Sequence, residues 1–113
     1  MTDCYTDNAI PVHVGAEQGV LSAGTAVSSN PHFLQLWQAA YETIRRCQIF
    51  YEHIGEVSMS EKAKAQLTAE VQFLEAFAYH NLWKYMGGVP ILDHPLQLNE
   101  PLPARSSAEE TYE

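Results

Sequence analysis

The chain has 113 residues, close to the commonest size of one domain and too short for two, so it builds one hydrophobic core at most. Hydrophobic residues make up 46% and charged residues 18%, a balance that excludes wholesale disorder. Fourteen acidic residues against six basic ones leave a formal charge of -8, which repels phosphates and anionic lipid headgroups and excludes nucleic acid as a partner. No run approaches the length of apolar residues needed to span a bilayer. Met1 is followed by polar TDCYTDN, so no export leader is read there, and Cys4 lacks the apolar leader that a lipid-attachment cysteine requires. Cys4 and Cys47 are too few and too far apart for a zinc framework.

Residues 1–29 follow neither a helical nor a strand period and carry Pro11, Gly15, Gly19 and Gly24 among small polar residues, which predicts a long irregular loop. A first helix is expected over about 31–54. Asn30 can cap it, and Pro31 is tolerated in a first turn where its missing N–H is not needed. Phe33, Trp37, Tyr41, Ile44, Cys47, Tyr51 and Ile54 fall on one face, while Glu42, Arg45, Arg46 and Glu52 read as a solvated face. Gly55, able to adopt a left-handed conformation, reads as its stop.

A second helix is expected over about 59–86. It is announced by Ser58 and Glu61 at capping-box spacing and closed by Gly87-Gly88. Its stripe is Leu67, Val71, Leu74, Ala78, Leu82 and Tyr85, widened by Phe73 and Phe77, and it should pack antiparallel on the first helix. Val89-Pro90-Ile91-Leu92 and the prolines at 95, 101 and 103 then keep the chain extended. Ser106 and Glu109 repeat the capping pattern, opening a third helix from about 107 that reads as cut short, so the chain is expected to be a fragment. The fold class expected is all-α: an antiparallel helical hairpin over 30–113, with an irregular N-terminal loop and an extended Pro-rich segment.

Site chemistry is sparse. His13, His32, His53, His80 and His94 have no HExxH spacing, which argues against a metal site. Glu70 with Glu75, and Glu52 with Glu56, read as solvated carboxylates rather than as a glycosidase pair. Gly87-Gly88 follows a helix and precedes Val-Pro, the reverse of the strand, glycine loop, helix order of a phosphate cradle. No catalytic group and no cofactor is expected.

The stretch AEVQFLEAFAYHNLWKYMGGVPIL, Ala69 to Leu92, preceded by Trp37, Tyr41, Ile44, Arg45 and Arg46, resembles the SusD/RagB family of nutrient-binding lipoproteins. Its carriers are Ala69, Glu70, Phe73, Leu74, Ala76, Phe77, Tyr79, Leu82, Gly87, Gly88, Val89 and Pro90, with Arg105, Ser106, Glu110 and Tyr112 resembling the next helix start. Departures are Glu75, where the family usually has Arg, Gln48, where it has Asn, and His80, where an aromatic is common. The resemblance implies a tetratricopeptide-type helical scaffold in a lipid-anchored protein of the outer-membrane surface, not an enzyme. That protein binds an oligosaccharide or a peptide and delivers it to a SusC-like TonB-dependent transporter, its only membrane contact being a lipid anchor outside this sequence.

Family members place ligand contacts in the loop before the Trp-Tyr helix, which makes Tyr5, Asp7, Asn8, His13, Asn30 and His32 the ligand-binding candidates. Trp37 and Tyr41, with Phe73, Leu74, Phe77, Tyr79, Gly87, Gly88 and Pro90, are read as structural, and Trp37 as a packing residue before a ligand contact. The alternative is a helical-repeat scaffold that mediates protein interactions without binding a nutrient.

Overall fold

The computed structural model describes residues 30–113 and, before them, Asn8, Ala9, Gly24, Val27 and Ser29. It divides into two compact units, residues 1–35 and 36–113, and the packing described below belongs to the second. Most of the irregular loop expected over 1–29 lies outside the described residues. Helix α1 runs Pro31–His53, a single 3-10 turn covers Ile54–Glu56, helix α2 runs Glu61–Met86 and a short helix α3 runs Ala108–Tyr112. Among the described residues there is no strand, and the protein is all-α.

At the start of α1, Asn30 Oδ1 accepts from the His32 N–H at 2.9 Å, satisfying a backbone donor that has no partner within the helix. The far end differs from expectation. Gly55 sits inside the 3-10 turn and does not have positive φ, so its conformational freedom is not what stops the helix. The turn is tied down by Lys64, whose Nζ donates to Gly55 O at 3.1 Å.

Helix α2 is capped by Ser60, whose side chain accepts from Ala63 N–H, and not by the Ser58–Glu61 pair. The capping box that does form is at α3, one residue later than the spacing of Ser106 and Glu109 suggested. Ser107 accepts from Glu110 N–H at 3.1 Å, and the Glu110 carboxylate accepts from Ser107 N–H at 2.7 Å. A pattern with serine at consecutive positions leaves the register open, and the chain's exit from the preceding segment decides it.

Helices α1 and α2 are antiparallel. Their buried residues Ala40 and Ile44 from α1, and Ala78 and Leu82 from α2, form one cluster with Val89, and Trp37, Tyr41, Tyr79, Met86 and Leu92 pack against it. Farther along, Tyr51 of α1 donates to Glu75 Oε2 of α2 at 3.0 Å. Glu75 therefore has its own partner across the hairpin. The face of α2 toward the core is narrower than its apolar residues suggested: Phe73, Leu74 and Phe77 are exposed, Phe73 at 69%. An apolar run this dense satisfies a helical stripe on more than one side, and Ala78, Tyr79 and Leu82 mark the side that is used.

Candidate functional site: a groove between helix α1 and the proline strap

Beyond α2 the chain turns back along α1 as an extended strap. With no helical or sheet ladder of its own, its backbone needs partners from elsewhere. Helix α1 supplies them from one face: Tyr41 OH donates to Pro90 O at 2.7 Å, Gln48 Nε2 to Leu92 O at 2.6 Å, and Arg45 Nη1 to Leu96 O at 2.9 Å. Tyr79 of α2 completes the set, its hydroxyl accepting from Leu92 N–H at 2.8 Å. Arg45, read from sequence as a solvated charge, is exposed but anchors the strap.

The turn into the strap depends on two glycines for different reasons. Gly87 has φ 71°, a conformation side chains resist. Gly88 is buried against the start of α3, where an added Cβ would lie 2.0 Å from Ser106 O and 2.5 Å from Ser107 C. The pair is thus more than a helix stop, because Gly88 lets the chain entering α3 approach the end of α2. Arg105 donates to Gly88 O and Met86 O, and Ser106 N–H donates to Val89 O at 3.2 Å. Thr111 accepts from Val89 N–H at 3.2 Å, and Trp83 Nε1 donates to Ala108 O at 3.0 Å.

Between α1 and the strap lies a groove of about 360 Å³. Trp37 and Tyr41 form its aromatic wall, Leu92, Leu96, Leu102 and Pro103 its strap wall, and Arg45 and Gln48 its polar groups. The two rings are 4.8 Å apart and tilted at 42°. Burial, with a smaller contribution from Tyr79, drives the Tyr41 phenol far above its ordinary value of 10.0, so it stays a neutral donor. Aromatic and aliphatic walls with a few fixed polar groups suit binding of a small ligand. The groove's lining includes no carboxylate or imidazole that would serve as an acid or base.

The sequence candidates are not among the residues that line this groove. Tyr5, Asp7 and His13 lie outside the described residues. Asn8 is exposed, Asn30 is 7% exposed with its side chain committed to the α1 cap, and His32 is half-buried with its ring 6.2 Å from that of Phe33. The structure gathers instead Trp37, Tyr41, Arg45 and Gln48. They stand four, four and three positions apart on one side of α1, but the strap that turns this side into a groove arrives more than forty residues later.

These features define a class: a helix-pair scaffold whose second helix ends in a Gly-Gly-Val-Pro turn leading into a strap bound back onto the first helix. Over 65 residues, 57% of the chain, the sequence is 31% identical to a SusD-like protein of Formosa agariphila, of which the match covers 12%. The fold matches the crystal structure of a SusD-like protein from Bacteroides fragilis with a TM-score of 0.77 and 34% identity, over 86% of this chain and 19% of that one. Over these segments the chain is similar to SusD-like proteins in both sequence and fold, and it spans only those small shares of its relatives' length. No family model matches it.

Proposed function

We propose that the chain is part of a cell-surface protein that binds an oligosaccharide or a peptide and delivers it to a SusC-like TonB-dependent transporter of the outer membrane. The observation that carries this reading is the agreement of 34% identity with a TM-score of 0.77 against a SusD-like protein. Residues 30–113 are part of the helical domain, and the ligand contacts come from Tyr5, Asp7, Asn8, His13, Asn30 and His32, of which Tyr5, Asp7 and His13 lie outside the described residues. The groove beside Trp37 offers a further contact, with an indole face for an apolar ligand surface and Arg45 for a polar one. The protein acts by binding rather than by catalysis, and a lipid anchor holds it to the membrane. No helix among the described residues is long and apolar enough to cross a bilayer.

The test uses the complete reading frame. The full-length protein should be retarded in gels containing at least one polysaccharide, or should bind peptides in calorimetry, and should co-purify with a large β-barrel transporter. Failure of both binding assays, with no transporter recovered, would overturn the proposal. A scaffold that only mediates protein interactions is the second reading, favoured by the exposed Phe73, Leu74 and Phe77 on α2. It predicts transporter or other protein association without any nutrient binding.

A further inference from the structure

The strap segment 93–100 closes on itself around one imidazole. His94 Nδ1 lies 2.6 Å from Asp93 Oδ1, and its Nε2 lies 2.7 Å from Glu100 Oε1. The second Glu100 oxygen accepts from Gln97 N–H at 3.1 Å, and Glu100 N–H donates to Gln97 O at 3.1 Å. A neutral imidazole has one N–H and so can donate to only one of these carboxylates, turning a lone pair toward the other. The arrangement is complete only when both ring nitrogens carry protons.

We propose that segment 93–100 is a proton-operated clasp: protonated His94 holds Asp93 to Glu100 and fixes the strap wall of the groove, and deprotonation releases it. The clasp contains Leu96, which lines the groove, and ends two residues before Leu102, which also lines it. From the neighbouring helices, Arg45 donates to Leu96 O and the Tyr79 hydroxyl accepts from Leu92 N–H, so one charged and one titratable group face the segment. The two carboxylates raise His94 above its ordinary 6.5, and hydrogen bonds lower Asp93 below 3.8 and Glu100 below 4.5. The sign follows from these directions. The His94 contribution is fully present below pH 6.5 and fades as pH rises through its elevated value, whereas the carboxylates' contribution is present above their ordinary values and fades as pH falls. The clasp is therefore firm from about pH 4.5 to 6.5 and loosens on either side. This inference does not depend on nutrient binding.

The experiment is an NMR titration of the whole chain, following the His94 ring nitrogens and amide exchange at Gln97 and Glu100. His94 should titrate above 6.5, with both nitrogens protonated at the acid end. Glu100→Gln should bring its midpoint down. Once corrected for intrinsic base catalysis, exchange at Gln97 and Glu100 should accelerate about twofold or more across that midpoint. His94→Gln should hold the fast rate throughout, with Leu82 exchange unchanged. A His94 midpoint at or below 6.5, insensitivity to Glu100→Gln, constant protection of the two amides, or acceleration at Leu82 in step with them would each overturn the clasp.

Discussion

At the residue scale, Gly87 and Gly88 are adjacent but not equivalent. Gly87→Ala meets only the resistance of a side chain to φ 71° and should cost about 1–3 kcal/mol. Gly88→Ala puts a carbon 2.0 Å from a backbone oxygen that belongs to a helix start, so strap and α3 must move. It should cost about 3 kcal/mol or more. Urea unfolding of the two variants checks the order, and an equal or smaller loss for Gly88→Ala would contradict the close approach. Across the hairpin, Tyr51 and Glu75 should couple by about 1 kcal/mol in a Tyr51→Phe, Glu75→Ala double-mutant cycle.

The tyrosines add a pH dependence. Burial raises Tyr41, Tyr51 and Tyr79 above 10.0, with Glu75 adding to it at Tyr51 through the hydrogen bond. Groups raised in the folded state stabilise it fully below their unfolded values and lose that contribution as pH rises through the folded ones. In alkali above pH 10, these phenolates should therefore appear together with loss of helical circular dichroism. Ionisation well before helix loss would show that the three hydroxyls are freer than their hydrogen bonds suggest.

At the scale of elements, α3 is only five residues long and cannot be stable through its own backbone bonds. It is held by its capping box and by Trp83, Thr111 and Arg105. Ser107→Ala removes half of the box and should cost about 1 kcal/mol, read most directly as faster amide exchange at Glu110 and Thr111 with α2 unaffected. The helices themselves were legible in the sequence because apolar spacing and capping residues are local signals. The inward side of α2 was not, since Phe73 and Phe77 lie on one side of the helix and Ala78 and Leu82 on another, with Leu74 between them, and all look apolar. The groove was less legible still. Trp37 and Tyr41 were read as packing residues, and they are, yet they also form a wall once Leu92 to Pro103 returns beside them. Arg45 and Gln48 gave no local sign that their partners would be backbone carbonyls of a distant strap.

For the whole molecule, charge and exposed apolar surface oppose one another. The -8 charge keeps molecules apart at neutral pH, while Phe73, Leu74 and Phe77 offer a contact face. Repulsion vanishes near the isoelectric point of about 4.9, where light scattering by the isolated chain should be greatest. A Phe73→Lys, Phe77→Lys double variant should suppress that scattering with little change in thermal stability, because neither ring is in the core. Unchanged association would place the contact elsewhere.

The two indoles sit at different joints of the architecture. Trp37 stands in the groove wall beside Tyr41, while Trp83 gives its N–H to Ala108 O with its ring 5.1 Å from that of Tyr112. Each is therefore a built-in fluorescent gauge of a separate closure. Trp83→Phe leaves emission that follows the strap's seating on α1, and Trp37→Phe leaves emission that follows the docking of α3. With α3 so short, the Trp83 signal should shift at lower urea than the Trp37 signal, so that the two single-tryptophan variants together report the order in which the parts come away.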